Sequence, residues 1–119
     1  MPPEGGIFNK KKFMTELTVL CKATEVEEGT PIQVVIDGLP PLAVYEFEGS
    51  YYVTNDICTH GMAFMTEGEQ DGNEIECPFH GGAFNLVTGE VLSMPCNIPL
   101  ATYPVIMDGE NICIEKPTS

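Results

Sequence analysis

The chain has 119 residues, with 18 acidic side chains against five basic ones, all lysine, for a formal charge of −13. That length suits one domain and is too short for a cofactor domain joined to a separate substrate domain. The charge argues against nucleic acid and anionic membranes as partners, because phosphate binding needs clustered Lys and Arg. An apolar fraction of 43%, with six Phe and four Tyr, argues against disorder.

No apolar run is long enough to span a membrane. The opening Met1-Pro2-Pro3-Glu4-Gly5-Gly6 has neither the basic nor the apolar region of a signal peptide. A cytoplasmic chain with an odd number of cysteines, five, is expected to carry thiols or metal ligands and not a disulfide frame.

Charge divides the sequence. Residues 1–13 hold Lys10, Lys11, Lys12 and one acid, Glu4; residues 14–119 hold 17 acids and two lysines, a net of −15. Residues 1–13 read as an N-terminal extension, with an edge strand through Ile7-Phe8 as the competing reading. The domain proper is expected over 14–119. Strands are predicted at Leu17–Cys21, at Ile32–Ile36 before Asp37-Gly38, at Ala43–Phe47 before Gly49-Ser50, and at Tyr51–Thr54. Glu25–Gly29 reads as an acidic turn or one helical turn. Glu74–Glu76 follows the turn Gln70-Asp71-Gly72-Asn73. Ala83–Asn85 and Val91-Leu92 flank Thr88-Gly89-Glu90, and Thr102–Met107 and Ile112–Glu115 flank Asp108–Asn111. Short β-formers between turn signals, without 3.6-residue periodicity, predict an all-β sandwich or barrel.

The chemistry concentrates in two segments, Cys58-Thr59-His60-Gly61 and Cys77-Pro78-Phe79-His80-Gly81-Gly82. Each follows a predicted strand, and each offers one thiol and one imidazole. Both histidines of the chain are here. Three readings fit: a tetrahedral Cys2His2 zinc site, two thiols and two surface histidines without metal, and a [2Fe–2S] centre in which two Cys hold one iron and two His the other. Zinc modules usually pair like ligands. A mixed pair on each loop suits the iron–sulfur centre better, because each loop then gives one ligand to each iron.

C-T-H-G followed by C-P-F-H-G-G resembles the Rieske domain. The span from about Leu17 to Glu115 is similar to the Rieske ferredoxins of bacterial aromatic-ring-hydroxylating oxygenase systems, including L-T-V-L-C-K-A-T-E-V and P-C-N-I-P-L-A-T-Y-P-V. The resemblance implies an antiparallel β-sandwich with a small cluster-binding subdomain, loops near 57–66 and 77–84, and one [2Fe–2S] cluster. It implies Cys58 and Cys77 on the inner iron and His60 and His80 on the outer one, near solvent. Gly61, Gly81 and Gly82 would let backbone approach the cluster, with loop N–H groups aimed at its sulfides. Ala63 and Phe79 stand where high-potential relatives carry a disulfide, and Gly82 where they carry a sulfide-bonding Ser. Fewer bonds to sulfur predict a potential at the low end of a range of roughly −150 to +300 mV.

Both histidines are then spent, so none remains for a mononuclear iron that activates O₂. Neither a dinucleotide fingerprint nor a P-loop is present. The expected role is a one-electron carrier with no catalytic residue. A flavin-containing, NAD(P)H-dependent reductase is its donor and a terminal oxygenase its acceptor, with no nucleic acid or membrane partner and a monomeric state. The acidic surface is expected to steer it to basic docking faces. Met62, Phe64, Met65, Phe79, Met94 and Pro95 are expected to pack around the cluster or form a docking face. Cys21, Cys96 and Cys113 read as buried small hydrophobes.

Overall fold

The computed structural model describes residues 17–59, 63–78, 82–94 and 98–115. Among the described residues, three antiparallel sheets make up the fold. In the first, β1 (Leu17–Lys22) and β10 (Ile106–Asp108) flank β11 (Asn111–Glu115). The second runs β2 (Ile32–Val34), β3 (Leu42–Phe47), β4 (Ser50–Asn55), β9 (Thr102–Tyr103). The third is a meander of β5 (Glu69–Asp71), β6 (Glu74–Glu76), β7 (Ala83–Asn85) and β8 (Val91–Ser93). It is inserted between β4 and β9 and forms the smaller subdomain.

Strand β3 holds the layers together. Its run Leu42-Ala43-Val44-Tyr45 is fully buried, and side chains alternate faces along a strand. Leu42 and Val44 join Leu20, Val26, Val53, Ile112 and Ile114 in one core, between the first two sheets. Ala43 and Tyr45 join Ile75, Phe84, Leu86 and Leu100 in a second core beneath the inserted sheet. Each large side chain withdrawn from water contributes roughly 1.5–3 kcal/mol, so an apolar strand with no polar face is stable only as this shared middle layer.

The expected all-β sandwich with a small subdomain is the observed architecture, and the strands differ from expectation in three places. The segment expected as one strand over Thr102–Met107 is divided at Pro104 into β9 and β10, which pair in different sheets; proline has no N–H to continue a ladder. β2 stops at Val34 instead of Ile36, with Val35 68% exposed. β5 lies where a turn was expected to begin. It is polar throughout, and it forms because β6 offers a free edge and Gln70 anchors it: Gln70 Nε2 donates to the Glu46 and Gly72 carbonyls, and Gly29 N–H donates to Gln70 Oε1. The expected acidic turn closes between Glu27 and Thr30, whose N–H donates to the Glu27 carbonyl at 3.0 Å; it is preceded by a single 3₁₀ turn, Ala23–Glu25, whose Glu25 Oε1 accepts from Lys22 N–H at 2.8 Å. Residues 1–13 lie outside the described residues.

Candidate metal centre

β4 leads into the first motif loop. Asn55 N–H donates to the Ala101 carbonyl and Asp56 N–H to that of Pro41, which fixes the strand exit from both sides. Ile57 and Phe64 then pair as an isolated bridge. Inside it, Cys58 N–H donates to the Ala63 carbonyl at 2.8 Å. β6 leads into the second loop, where Cys77 N–H donates to the Gly82 carbonyl at 2.7 Å. The two loops, 58–63 and 77–82, therefore share one construction. In each, the amide of the cysteine is bonded to the carbonyl five residues on, so the ends of the loop are held together.

Both cysteines are 3% exposed and belong to the same core as Ala63, Met65, Ile75 and Phe84. The fold thus brings together two thiols 19 positions apart in sequence. His60, Gly61, Met62, Phe79, His80, Gly81, Pro95 and Cys96 lie outside the described residues. The Cys58 and Cys77 amides, which close the loops, are engaged with carbonyls.

Two interactions at the site have no signature in the motif. Thr59, between Cys58 and His60 in sequence, donates its hydroxyl to the Ile98 carbonyl at 2.8 Å and ties the first loop to the segment after β8. Asp56 is fully buried, and its carboxylate accepts from Gln33 Nε2 (2.7 Å), Thr66 N–H (2.8 Å) and Thr66 Oγ1 (3.0 Å). Its carbonyl accepts from Met65 N–H. A short polar residue where a strand ends is the only hint the sequence offers of that role. Gly68, which ends the 3₁₀ turn Met65–Glu67, lies against the end of β6 just before the second loop: a Cβ there would overlap the Glu76 carbonyl.

Of the apolar residues near the motif, Met65 is fully buried, Phe64 partly so, and Met94 is 74% exposed. Cys113 is buried as expected, whereas Cys21 is half-buried. Burial, with Glu25 adding its charge, pushes the Cys21 thiol up to about 11; burial and then Asp108 raise that of Cys113. Neither offers a thiolate at neutral pH. An open cleft of about 370 Å³, lined by Glu67, Gly68, Glu69, Glu76, Cys77 and Pro78, borders the second loop with acidic side chains.

Two buried thiols on matched, clamped loops suit an iron–sulfur group, whose inner iron takes soft thiolate ligands away from water. Comparison with known proteins agrees. The Rieske [2Fe–2S] domain family matches residues 16–104. Ferredoxin CarAc of Metapseudomonas resinovorans is 48% identical over 92 residues, 76% of this chain and 86% of that protein. The Sphingomonas yanoikuyae B1 ferredoxin structure superposes with a TM-score of 0.85 at 45% identity, covering 86% of this chain and all of that one. The ferredoxin in a complex of reduced oxygenase and oxidized ferredoxin in carbazole 1,9a-dioxygenase gives 0.79 at 42% identity, covering 83% and 92%. This chain belongs to the Rieske [2Fe–2S] domain family and is a ferredoxin of the kind that serves aromatic dioxygenase systems, an electron carrier with a Rieske-type cluster and not a catalyst.

Proposed function

We propose that this ferredoxin takes single electrons from a flavin-containing, NAD(P)H-dependent reductase and delivers them to a terminal oxygenase, with Cys58 and Cys77 holding one iron and His60 and His80 the other. The observation that carries the ligand assignment is the matched pair of loops with both thiols buried in one core. The cluster stores and releases one electron when bound. The chain holds the loop ends and excludes water from the thiols through Ala63, Met65, Ile75 and Phe84. A relative seen in complex with its oxygenase supports the acceptor; the reductase follows from the lack of any flavin or nicotinamide motif in this chain. We assign residues 14–119 to the carrier domain and residues 1–13 to an extension outside it. The cytoplasm, where NAD(P)H is available, is the proposed location; among the described residues no helix is long and apolar enough to cross a membrane.

The test is spectroscopic. The purified protein is expected to be red-brown, and its dithionite-reduced form to give an EPR signal with a low average g. Cys58→Ser, His60→Ala, Cys77→Ser and His80→Ala should each abolish that signal and lower bound iron. A colourless protein containing zinc, or a His variant with an unchanged spectrum, overturns the assignment. With Ala63 in place of a disulfide cysteine and Gly82 in place of a serine, the midpoint should fall near the low end of the Rieske range; one above about +100 mV contradicts this.

A further inference from the structure

Asp56 is fully buried, and among the described residues its carboxylate accepts from neutral donors: the Gln33 amide, the Thr66 amide and the Thr66 hydroxyl. Such donors stabilise a carboxylate without cancelling its charge. The three segments they join are β2, the exit of β4 and the 3₁₀ turn Met65–Glu67. Tyr45 belongs to the core that holds both cysteines. Burial raises the Tyr45 hydroxyl well above its ordinary range, the bond to Thr54 Oγ1 opposes that, and the charge of Asp56 adds to the rise.

We propose that Asp56 is a positioning residue that fixes the Cys58 loop and, as a buried negative charge two residues from Cys58, holds down the reduction potential of the bound cluster. The inference rests on the reading that Cys58 is a ligand. Reduction adds one negative charge to the site. A fixed anion nearby, in a medium less polarisable than water, makes that addition harder.

The experiment is a redox titration of the loaded protein, following the visible spectrum, with Asp56→Asn, Gln33→Ala and the double variant Gln33→Ala/Thr66→Val. Asn keeps the size of the side chain, and the exposed Gln33 amide can turn to match it. Asp56→Asn should favour reduction about tenfold, a rise of about 59 mV for a one-electron couple. Gln33→Ala should not raise the potential, and the double variant should lower it, because the charge remains and loses two donors. A role confined to holding the loop would move all three the same way or none. The proposal is overturned if Asp56→Asn leaves the midpoint unchanged or lowers it, or if Gln33→Ala raises it equally. Should Asp56→Asn fail to take up a cluster, the double variant decides: a lower midpoint supports the proposal, and an unchanged or higher one overturns it. Failure of the ligand assignment itself would show separately, as the absence of a Rieske spectrum in the unaltered chain.

Discussion

The thiols divide by environment. Cys58 and Cys77 sit at the necks of clamped loops, while the Cys21 thiol is pushed up to about 11 by burial and by Glu25. In the apo chain, Cys21 should react slowly with iodoacetamide at pH 8 and progressively faster toward pH 11; a rate already saturated by pH 9 would contradict its raised value. The stability effect has a definite sign. The unfolded thiol deprotonates at a lower pH than the folded one, so this contribution is complete below the ordinary thiol range and is lost as pH rises toward 11. The proposed ligand residues stand out in the sequence because metal chemistry restricts residue type and spacing together. Asp56 was not legible: it is one of 18 acids, and only the convergence of Gln33 and Thr66 upon it distinguishes it from a solvated carboxylate.

Two hairpins carry local conflicts that substitution should relieve. At the β3–β4 turn, Glu48 and Gly49 both have positive φ, 53° and 82°, the signature of a type I′ turn that favours Asn-Gly. Glu48→Asn should stabilise the fold by about 0.5–1 kcal/mol, read as a higher urea midpoint at unchanged slope. In the inserted sheet, Glu69 lies opposite Glu76 and Asp71 opposite Glu74, and like charges across a ladder repel. Glu69→Lys should add roughly 0.2–1 kcal/mol, and this gain should shrink in high salt. Gly68→Ala should do the reverse and loosen the seat of the second loop, since its Cβ has no room beside Glu76; reduced cluster retention at 37 °C would show it. Alternating or apolar strands such as β3 and β11 were legible from their patterns. β5 was not, because its residues become a strand only through β6 and Gln70, and the Pro104 break concerns which sheet each half joins, which a local pattern does not encode.

For the whole molecule, the formal charge of −13 predicts association rates with basic docking faces that fall as salt rises from roughly 0.05 to 0.5 M, where the screening length shortens severalfold. Electron-transfer rates to both partners that ignore ionic strength would refute steering. The sandwich plan was readable from strand spacing, whereas the stacking of two cores on the two faces of one strand was not, because it depends on where the inserted sheet folds back. The loop necks have a further consequence for biogenesis. Their closing bonds are backbone to backbone and involve no ligand atom, so the necks are expected to form without iron. Cluster insertion is then predicted to be delivery into a folded chain and not the rescue of an unfolded one. In the apo protein the amides of Cys58 and Cys77 should already exchange slowly with deuterium, and refilling with iron and sulfide should restore the spectrum without a refolding phase.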